Sequence, residues 1–389
     1  MIFVLVGFQC REQYEVLLMP AQANALVIEG IVNANGPTNI RLTRTTDLAL
    51  QSIVPEMGAT VIVEGEDNST FRLTGMDSGY YHADAIPINP SLKYRMRIMT
   101  AGQHEYLSDY RDVLATQKLD SISHITEGDS VRFFINSYED EPQKYYFKWD
   151  VEETWQIRSP FATILKFTTT GVGDSLKVGL EYANPVNHSV DESVRICWQS
   201  RISRDINIGT TQQLTSSKIQ LPVKVLQRSS IELGETYSML VKQYALSADG
   251  YDFYRRMKKN TESLGSIFDA QPTEITGNIQ CVSHPGELVV GFVEFSELEE
   301  KRIFVRSSDL PGTPFDQNCT AFGAQNSLYV YPFENSPEVR LYAYKTLELF
   351  PTKPVRLSAG SLPLTFEAQN KYCVDCTLRG TNVKPSFWP

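Results

Sequence analysis

The chain has 389 residues, and a typical domain size of about 150 residues predicts two or three domains. With 42% apolar and 21% charged residues, its composition is that of a folded globular protein, which excludes disorder as its main state. The chain has a net charge of −10 and no basic block, so it lacks the charge signature of a nucleic-acid-binding protein. It also contains no run of 18 apolar residues, so the sequence predicts no membrane-spanning helix.

Residues 1–10 form an apolar run that ends at Cys10. The run is either a first β-strand or a truncated lipoprotein signal whose final cysteine is acylated after cleavage. We favour the signal, although Gln9 occupies a position where a small residue is usual and no basic region precedes the run. Buried acyl chains, at ~0.8 kcal/mol per CH₂, would then hold the protein on a membrane. Residues 11–25 would act as a tether.

Residues 26–118 contain short runs in which apolar and polar residues alternate, separated by turn residues. The alternation predicts strands with one buried and one wet face. The predicted strands include 26–30, 39–44, 61–64, 71–74 and 94–98. Their spacing of about 8–15 residues predicts an immunoglobulin-like or prealbumin-like antiparallel β-sandwich.

Residues 119–389 continue the strand pattern and predict a second, larger β-rich domain with a cysteine-containing tail. Its predicted strands are 130–135, 145–151, 176–182, 193–198, 219–226, 287–294, 302–305, 328–331 and 339–344. The fold class is therefore mainly β.

One main helix is predicted within this second domain, near residues 248–262. Ser247 is a suitable N-cap, and Tyr251, Tyr254 and Met257 follow at helical spacing. We interpret these three side chains as a core stripe packed against the sheets rather than as a ligand site.

Five cysteines follow Cys10, and in an exported protein they allow two disulfides and one odd thiol. They are Cys197, Cys281, Cys319, Cys373 and Cys376. The pair in Cys373-Val-Asp-Cys376 could be half a zinc site, a redox pair or part of a disulfide cluster. We expect structural disulfides and no metal site, because the five histidines supply no matching pair of zinc ligands. The pairing stays open.

No catalytic motif is recognisable in the chain. The nucleophile elbow, the phosphate-binding loops and the zinc-protease signature are absent from the sequence, and the histidines are isolated. Acidic neighbours such as Glu152 and Glu153 point to opposite faces of a strand, which favours a solvated surface over a catalytic pair. We therefore expect no enzymatic activity and no cofactor.

An aromatic cluster is the best candidate for a binding surface. Its members are Tyr145, Tyr146, Trp149 and Trp155. If exposed, the rings could stack on a sugar or anchor a partner protein, and if buried they serve the core.

Several segments carry a family resemblance over nearly the whole chain. They are residues 237–247, 259–272, 277–285 and 301–304, the pair Cys197-Trp198, and the ending from Cys373 to Trp388. Together they resemble a Bacteroidota lipoprotein family known as domain of unknown function 4249. The resemblance implies an exported outer-membrane lipoprotein that faces the cell exterior, with Cys10 at the lipidated position. Such proteins are often encoded beside a TonB-dependent transporter similar to the starch-utilisation porins, and no catalytic residue carries over.

The resulting hypothesis is a non-enzymatic cell-surface lipoprotein that captures a ligand for an outer-membrane TonB-dependent transporter. It would contact the membrane through its lipid and would bind no nucleic acid. The alternative is a structural or assembly subunit of a larger outer-membrane complex without a small ligand. A hydrolase with an unrecognised pair of carboxylates is the third possibility.

Overall fold

The structure, a computed structural model, describes residues 24–46, 53–138, 145–212, 218–262, 275, 277–315, 319, 333–357 and 363–389. These residues are mainly β, as the sequence predicted. Among them no helix is both long and apolar enough to cross a membrane. The chain divides into two compact units, the first comprising residues up to Ala115 with Leu246–Leu298, and the second comprising Thr116–Ala245 with Glu299–Pro389.

The strands, numbered in chain order, begin with β1 (Leu26–Glu29), β2 (Val32–Asn33), β3 (Thr38–Arg44), β4 (Val54–Pro55), β5 (Thr60–Gly65), β6 (Thr70–Gly75), β7 (Tyr80–Ala83), β8 (Lys93–Met99), β9 (Glu105–Ser108), β10 (Arg111–Leu114), β11 (Ser121–Glu127), β12 (Ser130–Tyr138) and β13 (Tyr146–Arg158). They continue with β14 (Leu165–Thr170), β15 (Lys177–Tyr182), β16 (Ile196–Ile202), β17 (Asn207–Thr210), β18 (Lys218–Gln227), β19 (Thr236–Ala245), β20 (Ile279–Cys281), β21 (Val289–Gly291), β22 (Phe295–Ser296), β23 (Leu298–Arg306), β24 (Phe333–Glu334), β25 (Leu349–Leu357) and β26 (Pro363–Asn370). The α-helices are α1 (Ala248–Glu262), α2 (Pro337–Leu341) and α3 (Lys371–Val374).

The first unit is a sandwich-like β fold. Its strands follow the order β2-β22-β10-β8-β5-β6-β7-β3-β1-β21, with β9 paired to β8, β20 to β9 and β4 to β3. One core contains Ile40 and Leu42 of β3 together with Val61 and Val63 of β5. The residues between each pair, Arg41 and Ile62, are half-buried. The alternation predicted for these strands is therefore confirmed.

The predicted boundary between the two domains was wrong for residues 246–298. In the structure they belong to the first unit. The sequence pattern assigned α1 and the strands after it to the domain beginning at residue 119. In the structure β21 instead pairs in parallel with β1, placing Val289 opposite Leu26. β20 pairs with β9, and β22 pairs with β10 and β2. Local patterning carries no information about such long-range pairings.

Helix α1 begins where its capping residue predicted. The Ser247 hydroxyl accepts a 3.0 Å hydrogen bond from the Gly250 amide and itself donates to buried Glu294. The predicted stripe is only partly correct, because Tyr254 is buried but Tyr251 and Met257 are half-buried. Phe253, the residue before Tyr254, is more deeply buried than any of the three, with 2% of its surface exposed. The centroid of its ring lies 5.5 Å from that of Phe292.

The second unit contains several smaller sheets and two apolar cores. The sheets have the orders β11-β12-β18, β16-β13-β19-β23 with β17 paired to β13, β14-β15, and β24-β26-β25. One core includes Phe133 and Trp149, and a separate core includes Leu165 and Phe366.

The strand predicted at 339–344 is wrong. The chain there forms α2 and a π-helical turn, Tyr342–Thr346. The cause is local, because Ser336 caps the helix through the Val339 amide at 3.4 Å and Pro337 occupies the first helical turn. The predicted strand at 328–331 and the lipidation site at Cys10 lie outside the described residues.

Two disulfides connect the C-terminal segment to earlier parts of the second unit. Cys197 is bonded to Cys376 and Cys319 to Cys373, whereas Cys281 is a buried free thiol. The expectation of two disulfides and one odd thiol is therefore confirmed. The two cysteines of the Cys-x-x-Cys motif belong to different disulfides, so the motif is structural.

A buried carboxylate on β13 contacts side chains from three other strands of the second unit. The sequence pattern predicted Glu152 and Glu153 on opposite faces of a solvated strand, but the Glu153 side chain is fully buried. Its carboxylate accepts a 2.9 Å hydrogen bond from Tyr237 and lies 3.0 Å from Arg201 and 3.2 Å from Lys224. Burial of this charge is tolerated because both oxygens have donors.

We expect the substitution Phe253→Ala to lower the free energy of unfolding by about 3 kcal/mol, because it leaves a cavity beneath α1. Tyr251→Ala, at a half-buried position of the same helix, should cost about 1 kcal/mol. Urea unfolding followed by circular dichroism measures both values. Equal losses for the two variants would contradict this placement of the helix.

We expect Glu153→Ala to destabilise the protein by about 3 kcal/mol, because the buried Tyr237 hydroxyl and two cations lose their common partner. The matched control is Glu152→Ala, whose partly exposed side chain pairs with Lys242 and should contribute less than about 1 kcal/mol. Thermal unfolding of the two variants in parallel makes the comparison. If Glu152→Ala were as unstable as Glu153→Ala, burial of the Glu153 carboxylate would not explain the loss of stability.

Candidate functional site

The first unit brings together two histidines, a cysteine and a glutamate. These residues, the His/Cys/Glu cluster, are His104, Cys281, His284 and Glu287, and one potential ligand atom of each lies within 4.8 Å of the others. His104 immediately precedes β9, and Cys281 ends β20, which is hydrogen-bonded to β9 with Cys281 opposite Tyr106. A turn after β20 then returns His284 and Glu287 to the same place before β21 begins.

The Glu287 carboxylate organises one side of the cluster. Its Oε2 lies 2.6 Å from Nδ1 of His104, and its Oε1 accepts hydrogen bonds from Tyr106 and, at 2.9 Å, from Arg44. Arg44 also donates to Glu56 at 2.6 Å. Both oxygens of Glu287 are therefore satisfied, and the group is held in one orientation.

These contacts shift the pKa values in consistent directions. Burial alone would raise the pKa of Glu287, but hydrogen bonds from Tyr106, His104 and Arg44 lower it to about 2. Burial and the neighbouring Glu287 raise the pKa of Tyr106 above its usual range. Burial lowers the pKa of Arg44, but its hydrogen bonds to Glu56, Tyr106 and Glu287 outweigh burial and raise it. At neutral pH, Glu287 is thus a carboxylate that only accepts hydrogen bonds.

The other side of the cluster contains the thiol and the second imidazole. The rings of His104 and His284 are stacked with centroids 4.1 Å apart. The Ser283 hydroxyl accepts from the Glu105 amide at 2.9 Å and lies 3.1 Å from Nδ1 of His284 and 3.5 Å from Sγ of Cys281. Cys281 is 3% exposed, whereas His284 is exposed. This combination of nitrogen, sulfur and oxygen donors suits a transition metal.

A cavity of about 410 Å³, partly open to solvent, shares two residues with the cluster. Its lining includes Asn24, Arg44, Glu56, Thr100, His104 and Glu287. Ala25, Gly102 and Leu288 complete the lining, and its charged groups are held by mutual hydrogen bonds. A cavity whose charged groups are fixed in this way suits a small ligand that carries polar or charged groups.

Sequence reasoning missed this cluster and predicted no metal site. It tested the histidines only against the Cys-x-x-Cys motif near the C-terminus, whose cysteines form disulfides. The available signal was the spacing Cys281-x-x-His284-x-x-Glu287, which places three donors within one turn. The fourth donor, His104, becomes a neighbour only through the pairing of β9 with β20.

The predicted aromatic binding surface lies in the second unit, and the structure assigns its tryptophans to the core. Trp149 and Trp155 are 2% and 3% exposed, so neither ring can stack on a ligand. Nε1 of Trp149 donates to Gln243 at 2.8 Å, and Gly209 covers the ring so closely that a Cβ there would lie 2.5 Å from it. Tyr145 and Tyr146 are half-buried. Core packing, the alternative interpretation, therefore applies to both tryptophans.

Comparison with known proteins identifies a family and little else. The family model described as Domain of unknown function (DUF4249) matches residues 11–302. No curated protein matches the chain significantly. A solved structure from Bacteroides uniformis, described as a "putative carbohydrate binding protein", is 10% identical, with coverage of 58% of this chain and 92% of that chain and a TM-score of 0.14. Chitinase ChiA74 from Bacillus thuringiensis is 11% identical, with coverage of 52% and 28% and a TM-score of 0.13. TM-scores this low carry no argument about fold or function.

We expect Glu287→Gln to destabilise the first unit at pH 7 and to have a smaller effect in acid. Because folding lowers the pKa of Glu287 from 4.5 to about 2, its contribution is complete above about pH 4.5 and is lost as the pH falls toward 2. Thermal unfolding of the wild type and the variant between pH 2 and 7, with a chelator present, measures this difference. The control is Glu29→Gln, at an exposed position of β1. If the difference in thermal stability between the wild type and Glu287→Gln grew as the pH fell, the lowered pKa of Glu287 would be contradicted.

Proposed function

We propose that this chain, which belongs to the family described as Domain of unknown function (DUF4249), is a non-enzymatic cell-surface lipoprotein that captures a ligand for an outer-membrane TonB-dependent transporter. The observation that carries the proposal is the charged, solvent-accessible cavity of the first unit. Its charged side chains are held in place by hydrogen bonds before any ligand arrives, which lowers the entropic cost of binding.

The disulfides support an exported location. Disulfides form and persist in oxidising compartments and are rare in the cytosol. The two in the second unit involve four of the six cysteines of the chain. Export is a requirement for a lipoprotein at the outer surface.

The chemistry of the site favours capture over catalysis. A general acid or base works best with a pKa near the operating pH, but the pKa of Glu287 is about 2 and both its oxygens are occupied. The Cys281 thiol is buried, whereas a nucleophilic thiol must be open to its substrate. These groups are therefore suited to holding a ligand rather than to transforming one.

The test is purification of the tagged full-length protein from its native host in mild detergent. We expect an acylated Cys10 by mass spectrometry and a β-barrel transporter as a stoichiometric partner. The Cys10→Ser variant should move from the membrane pellet to the soluble fraction, because it loses its acyl chains.

Repeated recovery without any barrel protein would refute the transporter partnership. Recovery of the wild type as an unacylated, freely soluble species would refute the lipoprotein assignment. A larger complex of other outer-membrane proteins, with no ligand retained in the cavity, would support the alternative role as a structural or assembly subunit.

A further inference from the structure

We propose that His104, His284 and Cys281 bind one borderline-soft divalent metal ion, with Zn²⁺ as the best fit, and that Glu287 orients His104 for this purpose. As an assignment of the captured ligand class, the inference rests on the proposed function. Its chemical basis is the set of donors in the His/Cys/Glu cluster, in which one potential ligand atom of each residue lies within 4.8 Å of the others.

The donor types select the class of metal. Two imidazoles and a thiolate are the ligands of zinc and copper sites, whereas Mg²⁺ and Ca²⁺ require mostly oxygen ligands. Cys281 is the one free cysteine among the described residues, so its sulfur remains available for a metal. Three protein ligands leave a fourth position open for water or for a group from a bound molecule.

Glu287 prepares His104 to bind a metal. Its carboxylate, ion-paired with Arg44 at 2.9 Å, can only accept a hydrogen bond, so Nδ1 of His104 carries the hydrogen in the 2.6 Å contact. In the neutral imidazole that a metal ion requires, the lone pair then lies on Nε2, away from the carboxylate. This carboxylate–histidine arrangement is the usual outer shell of metal-binding histidines.

Binding requires a rotation of the His284 ring, which is stacked on His104. In a tetrahedral site with Zn–N of about 2.0–2.1 Å and Zn–S of about 2.3 Å, ligand atoms are about 3.3–3.6 Å apart. In the cluster, one potential ligand atom of each residue lies within 4.8 Å of the others. The side chain of His284 is exposed and lies in the turn after β20, so rotation about its own bonds can close this gap.

The charges also balance. Glu56 and Glu287 together outweigh Arg44 by one negative charge, and Cys281, which loses its proton when it binds a metal ion, supplies a second. A doubly charged cation therefore makes the site neutral, which favours its binding at a partly buried position. His104 and Glu287 also line the cavity, so an ion has a path to the cluster from solvent.

The experiment uses the full-length protein, stripped with a chelator and handled without oxygen so that Cys281 stays reduced and the disulfides stay intact. Zn²⁺ is titrated by calorimetry, and elemental analysis gives the stoichiometry. Co²⁺ is used as an optical probe. We expect one Zn²⁺ per chain and a thiolate-to-cobalt charge-transfer absorption with Co²⁺.

Variants assign the ligands. Cys281→Ser should abolish the charge-transfer absorption, and His284→Ala should weaken Zn²⁺ binding by about tenfold or more. Because His284 is exposed, its substitution does not threaten folding and remains informative if Cys281→Ser is unstable. The matched control is His82→Ala in the same unit, outside the cluster, which should bind Zn²⁺ as the wild type does.

Substoichiometric Zn²⁺ in the wild type would overturn the proposal, as would unchanged binding in both Cys281→Ser and His284→Ala. The co-purification experiment separates this failure from that of the proposed function. A transporter that co-purifies with a protein unable to bind Zn²⁺ would refute only the metal assignment. Zn²⁺ binding without any transporter partner would refute only the capture role.

Discussion

The hydrogen bonding of β20 to β9 is the constraint on which the site depends. It places Cys281 opposite Tyr106, and the turn that follows must then return beside His104 before β21 can pair with β1. The backbone of one short strand thus joins two parts of the chain that are far apart in sequence. The thiol, the imidazoles and the carboxylate therefore meet through this backbone pairing.

Arg44 and Glu287 convert this meeting into a rigid arrangement. The guanidinium joins Glu56 to Glu287 and approaches the Tyr106 hydroxyl at 3.4 Å, so two carboxylates share one cation at the edge of the cavity. The second unit uses the same principle for a different purpose, since Glu153 is surrounded by donors but lies inside a packed core. The two carboxylates differ in their access to solvent, because Glu287 lines an open cavity whereas Glu153 is fully buried.

The sequence predicted what depends on neighbouring residues. Alternation identified strands such as β3 and β5, Ser247 identified the start of α1, and cysteine counting identified two disulfides with one odd thiol. It could not predict that residues 246–298 rejoin the first unit, because strand pairing over such separations leaves no local pattern. For the same reason His104 looked isolated.

The native partners of Cys197 and Cys319 lie 179 and 54 residues further along the chain, both near its C-terminal end. Because synthesis proceeds from the N-terminus, Cys197, Cys281 and Cys319 all emerge before either native partner, Cys373 or Cys376, exists. During that interval any two of these three thiols could form a wrong crosslink. Early burial of Cys281 within its own unit would remove one competitor, so folding of that unit protects the correct oxidation of the other.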